Sequence, residues 1–285
     1  MTTNSTIRAE NGPRSTRWAL ILMAATLGLT GCAADSPSAA DLAVLADLDP
    51  ETSQINLPLE AYAMDAGEQE VVGHANALTM QSCMARSGLP YPRAALMPEE
   101  SPPFPDRRYG IWSMADATAN GFDGPMNATS DAVDAEESAL GEGWYSATEV
   151  CFRNETMLPM MAPDIAEETV VSKGMNESYG ALQRSGVLRD VRAAWVDCMT
   201  ENGTDVDAST QVLMPDMANP DKRTKEAAIV GATCMDEVGA TEQLAGYESR
   251  AQLDYIEQHH DELVQYRAVV DKTLEGAREI TASFG

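Results

Sequence analysis

Apolar and polar positions follow a helical period through most of the chain. From Glu68 onward Val72, Ala75, Thr79 and Cys83 recur at spacings of three and four, and Gly88 stands where a left-handed cap ends a helix. Pro90 and Pro92 forbid its return. Val187, Val191, Trp195 and Cys198 repeat the spacing, with Gly203 as terminator. The strongest stripe is C-terminal: Leu253, Ile256, His260, Leu263, Arg267, Val270, Leu274 and Ala277 predict one long helix, with Gly276 its weak point. A shorter helix over 225–238 precedes it, carrying Ala227, Val230 and Cys234 on one face, and Gly239 separates the two. Such stripes bury themselves against other helices, so the predicted fold is mainly α.

The N-terminal pattern is different. Arg8, Arg14 and Arg17 precede an unbroken, mostly apolar run from Trp18 to Leu29, and small Gly31 precedes Cys32. That order is a signal peptide. Twelve residues rise only ~18 Å as a helix against a hydrocarbon core of ~30 Å, which disfavours a membrane span. Leu29, Thr30, Gly31 and Cys32 resemble a bacterial lipobox, and the resemblance implies cleavage before Cys32 and lipidation of its thiol, palmitate included. The expected division is a signal peptide over 1–31, a lipidated cysteine and flexible tether over 32–56, and a helical extracytoplasmic domain over 57–285. A tether of that length spans ~27 Å on average, which keeps the domain near the bilayer.

The least regular stretch runs from Pro98 to Gly143, with Pro102, Pro103, Pro105 and several glycines. It holds Tyr109, Gly110, Ile111 and Trp112, then Ala115, Ala119 and Phe122 around a short helix expected to end at Gly121. Tyr109, Trp112 and Phe122 form a candidate cluster that either lines a ligand groove or packs the loop down; packing is the commoner use of such a group.

With Cys32 assigned to lipid, Cys83, Cys151, Cys198 and Cys234 remain, an even number that suits two disulfides outside the cytoplasm. None has the close spacing of a zinc knuckle or redox pair. Cys83, Met84 and Gly88 align with Cys198, Met199 and Gly203 as Cys-Met-x-x-x-Gly at a helix end, and another cysteine follows each copy. Four cysteines allow three connectivities. The duplication argues for Cys83 with Cys151 and Cys198 with Cys234, and for two units, 57–165 and 166–285.

Trp195-x-x-Cys198-Met199-x-x-x-Gly203, the Ala-rich helix with Cys234, Tyr247, Glu248 and Ile256 on the long helix, and Tyr109-Gly110-Ile111 with Gly121-Phe122 resemble uncharacterised secreted lipoproteins of actinobacteria. Met80 stands where the second copy has Trp195. The resemblance implies an envelope location and a helical, disulfide-bonded domain, and brings no activity with it.

Charge narrows the function further. Without residues 1–31 the chain keeps 16 basic and 44 acidic residues, a net −28. Such a surface repels nucleic acid, anionic lipid and anionic wall polymers, so a nucleic-acid partner is excluded. Asp254, Glu257, His260 and Asp261 are the densest candidate for a metal or acid–base site, but His260 falls on the apolar stripe and His259 points about 100° away from it, so a solvated acidic face is the better reading. His74 reads as a neighbour of the core. Glu60, Asp65 and Glu68 are possible paired carboxylates for glycoside hydrolysis. No nucleotide, Ser-nucleophile or zinc-protease motif occurs. The expected function is a non-enzymatic binding or accessory lipoprotein of the cell envelope, without cofactor or metal, anchored by lipid to the outer face of the membrane and serving an envelope protein or transporter; a cell-wall hydrolase is the alternative.

Overall fold

The computed structural model describes residues 46–95, 104–125, 128–160, 168–206, 213–214 and 223–284. The signal segment, Cys32, Pro98, Pro102 and Pro103 lie outside them. The element order is β1 (Asp47–Asp49), β2 (Gln54–Asn56), a 3-10 turn (Pro58–Tyr62), α1 (Ala66–Arg86), a second 3-10 turn (Pro92–Ala95), α2 (Met114–Asn120), α3 (Ala128–Ala139), α4 (Glu142–Asn154), α5 (Val170–Gln183), α6 (Gly186–Glu201), α7 (Lys225–Glu237) and α8 (Ala240–Phe284). The fold is therefore mainly helical, as the periodicity requires, and long α8 is its spine.

Helix α1 starts where its sequence supplies a capping box. The Asp65 carboxylate accepts from the Glu68 N–H at 2.7 Å, and the Glu68 carboxylate accepts from the Asp65 N–H at 3.1 Å. It ends at Gly88, φ +71°, where the Leu89 N–H reaches the Met84 carbonyl and the Gly88 N–H reaches that of Ala85. Helix α6 ends the same way at Gly203, φ +74°, with Thr204 bonding Met199 and Gly203 bonding Thr200. Both are Schellman closures, in which glycine takes the left-handed position without a Cβ penalty.

The correspondence continues into the disulfides. Cys83 and Cys198 are each the fourth residue from the end of their helices, while Cys151 and Cys234 are each the tenth residue of 13-residue helices. Cys83 is bonded to Cys151 and Cys198 to Cys234, with Cα separations of 5.8 and 5.7 Å. Met80, Met84 and Trp144 surround the first bridge; Trp195, Met199, Met235 and Leu244 surround the second, in the largest core cluster.

All described residues fall in one compact unit, 37–285, in which α1, α5, α6 and α7 all pack on α8. Helix α5 approaches α8 closely at Gly174. A Cβ built on Gly174 would lie 2.7 Å from Leu59 Cδ1 and 2.7 Å from Tyr255 Cδ1, so only glycine fits there. Helix α8 bends at His259 (φ −120°, ψ 20°). Beyond the bend the buried positions are the expected Leu263, Val270, Leu274 and Ala277. Before it they are Leu244, Glu248, Gln252 and Tyr255, one position away from the expected stripe. Leu253 is accordingly exposed, and the His260 side chain is 62 % exposed instead of packed. The buried carboxylate and amide of the first half hide the stripe from any apolar count.

Two further expectations need correction. Residues 47–56 are not tether: β1 and β2 pair antiparallel with Leu48 opposite Ile55, and Ile55 is only 2 % exposed. The turn holds because Asp49 Oδ1 accepts from the Glu51 and Thr52 N–H groups. The middle segment is also more regular than its proline and glycine content suggested, since it contains α3 as well as the expected α2, which stops at Gly121 (φ +61°).

Among the described residues no helix is long and apolar enough to cross a membrane. The two disulfides fit an oxidising, extracytoplasmic compartment.

Candidate functional site

Two features stand side by side around the Tyr109–Phe122 segment: a buried polar network and an open groove. The network centres on Glu248 of α8, only 1 % exposed. Its Oε2 accepts from the Tyr109 hydroxyl at 2.7 Å and its Oε1 from Arg108 Nη1 at 3.2 Å. Ser178 Oγ and Gln252 Nε2 stand 3.4 Å from the same Oε1, and Gln252 Oε1 accepts from the Leu59 N–H at 2.9 Å. Arg108 Nη2 also donates to Glu60 at 3.1 Å. Burial raises the Glu248 pKa, opposed by the Arg108 charge and the Tyr109 and Ser178 hydroxyls. Burial raises that of Glu60 as well, again against Arg108. The tyrosine is held strongly in its neutral form by burial and by the carboxylate it faces. Every acceptor here has a donor, and the arrangement locks α5, α8, the 3-10 turn at Pro58 and the aromatic segment together.

Arg107 fixes the other side of that segment. It grips Asp116 with Nε and Nη2 at 2.7 Å each, and donates to the Phe122, Gly121 and Asp123 carbonyls at 2.8 to 3.0 Å. Those carbonyls lie just past the end of α2, so one guanidinium ties the helix, through Asp116, to the chain that follows. Trp112 Nε1 donates to the Asp106 carbonyl at 2.8 Å, and Ser113 Oγ donates to the Pro50 carbonyl at 2.8 Å while accepting from the Asp116 N–H.

The groove opens on the far side of Trp112. It encloses about 440 Å³, within the usual size of a ligand site. Leu48 and Pro50 of the hairpin, Trp112 just before α2, Met114 at its first position, and Ala232 and Met235 of α7 give it apolar walls. Ser113, Thr233 and Thr241 add hydroxyls, and exposed Asp236 and Glu242 add the only charges among the lining residues. The Ser113 and Thr233 hydroxyls are bonded to the Pro50 and Ile229 carbonyls, and no histidine lines the groove.

The structure separates the three candidate aromatics. Tyr109 is buried in the Glu248 network, Trp112 walls the groove, and Phe122 packs on Ile111, Ala117, Ala228 and Ala232. The candidate carboxylates have structural partners: Glu60 with Arg108, Asp65 as helix cap, Glu68 with Arg267. Asp254, Glu257, His260 and Asp261 are all exposed on α8. Among the described residues no group of His, Cys, Asp and Glu is placed to hold a metal ion. Sequence reading missed Arg107, Arg108 and Asp116; the one signal available was an Arg-Arg pair directly before an apolar Tyr-Gly-Ile-Trp run, where one or both charges need a buried partner. The chain matches no protein-family model, no curated protein and no solved structure.

Proposed function

We propose that the protein is a lipoprotein of the cell envelope, anchored through Cys32 to the outer face of the membrane, that acts as a non-enzymatic binding or accessory protein. The observation that carries the binding role is the groove beside Trp112: preformed, apolar on its walls and held in shape by Arg107 and the hairpin turn. The lipobox-like Leu29–Cys32 segment supports the anchor, and the disulfides accord with the compartment. A transporter or other envelope protein is the partner such a groove would serve. The wall-hydrolase alternative has weaker support, because Glu60, Asp65 and Glu68 are each engaged in holding the fold.

Photo-cross-linking in intact cells tests this reading. A photoreactive residue at Met114, which is 46 % exposed at the groove, is expected to give one dominant adduct that disappears when Trp112→Ala is added. Adducts no different from those of a probe at exposed Asp271 would rule the groove out as the binding site.

A further inference from the structure

Resting on that reading of the groove, we infer that its occupant is a cationic peptide segment: an apolar side chain seated against Trp112 and Met114, with a neighbouring Lys or Arg paired to Asp236 or Glu242. The argument is complementarity. The walls are apolar, the rim carries two exposed carboxylates, and no Lys, Arg or His lies among the lining residues. Neither carboxylate makes an ion pair with another described residue, so each is available to an incoming charge. The indole adds to this, because an aromatic face attracts a nearby cation. At the scale of the molecule, an excess of 26 negative charges steers basic segments inward and anionic ones away. An anionic ligand would have to enter against both fields, and a purely apolar one would leave the rim unused.

The test titrates the full chain, purified in non-ionic detergent at physiological ionic strength, with three dye-labelled, end-blocked pentapeptides followed by fluorescence anisotropy. Their centres are Lys-Leu-Lys, Glu-Leu-Glu and Lys-Ser-Lys between glycines. Saturable binding of the first, with the other two weaker by about tenfold or more, is the expected result. Replacing both rim carboxylates, Asp236→Asn with Glu242→Gln, should weaken the first peptide by about tenfold without lowering the melting temperature, because both side chains are exposed. Equal affinity for the Lys and Glu peptides, both lost in Trp112→Phe, would overturn the cationic inference and leave the groove as the binding site. Binding unchanged in Trp112→Phe and in the rim variant would remove the groove itself. Failure of the Lys-Leu-Lys peptide to saturate overturns the inference outright.

Discussion

The Tyr109 hydroxyl lies 2.7 Å from Oε2 of Glu248, joining residues 139 positions apart and attaching the aromatic segment to the spine helix. Glu248→Gln keeps the volume but replaces one carboxylate oxygen by an NH2 group, so either Arg108 or the Tyr109 hydroxyl loses its acceptor. A loss of about 2 to 4 kcal/mol at neutral pH is expected in chemical denaturation. Because burial raises the Glu248 pKa, the folded state binds its proton more tightly than the unfolded chain does. The Glu248 contribution therefore grows as pH falls from neutral into the carboxylate range, and is absent from the Gln variant. The gap between the two proteins should widen on mild acidification.

Glu68 titrates in the opposite sense. Its hydrogen bond from Arg267 is the main cause of a lowered pKa, with the Asp65 N–H adding to it. Its stabilisation is complete above the ordinary glutamate range and is lost as pH falls through the lowered folded value. Glu68→Gln should cost about 1 to 2 kcal/mol at neutral pH. Below that range the variant and the parent should converge, as melting curves across an acid series would reveal.

Gly174→Ala adds one methyl where α5 meets Leu59 and Tyr255. With no room closer than 2.7 Å, the helices must part or Tyr255 must turn, at a cost of about 1 to 3 kcal/mol. Gly231→Ala, on α7 with open space at its Cβ position, is the matched control and should raise the denaturation midpoint slightly, since alanine favours a helix interior by about 0.5 to 1 kcal/mol.

The two disulfides should differ in what they protect. Replacing either pair by serine is expected to cost about 2 to 5 kcal/mol. Loss of Cys198–Cys234 strikes the largest core cluster and should lower the global midpoint, whereas loss of Cys83–Cys151 should first expose α4 to limited proteolysis, because α4 packs on α1 alone among the main helical contacts.

Cys32→Ala tests the anchor. Fractionation should find the variant released from the membrane with its melting temperature unchanged; retention after a salt wash would refute lipidation at Cys32.

Helices with an apolar stripe and a glycine cap were legible in the sequence: α1, α6, α7, the second half of α8, and the end of α2 at Gly121. The pairing of each helix-ending cysteine with the next one along the chain is the pairing its repeated motif suggested. The first half of α8 was misread because Glu248 and Gln252 are buried only thanks to Arg108, Tyr109, Ser178 and Leu59, partners far away in sequence. The hairpin escaped notice because its strands are three residues long and rich in Asp and Gln. The groove was half visible, in Trp112. Its other walls come from a hairpin and two helices that no local pattern connects to that residue.

Helix α8 follows every element it packs against, and that order governs when the fold can be completed as the chain is made. Leu59 needs Gln252, Glu68 needs Arg267, and Val72 and Ala75 need Val270, Leu274 and Ala277. A chain made N-terminus first must therefore hold these early contacts unfinished until α8 has emerged. Of the two disulfides, Cys83–Cys151 joins the earlier partners and can close before α8 has been made.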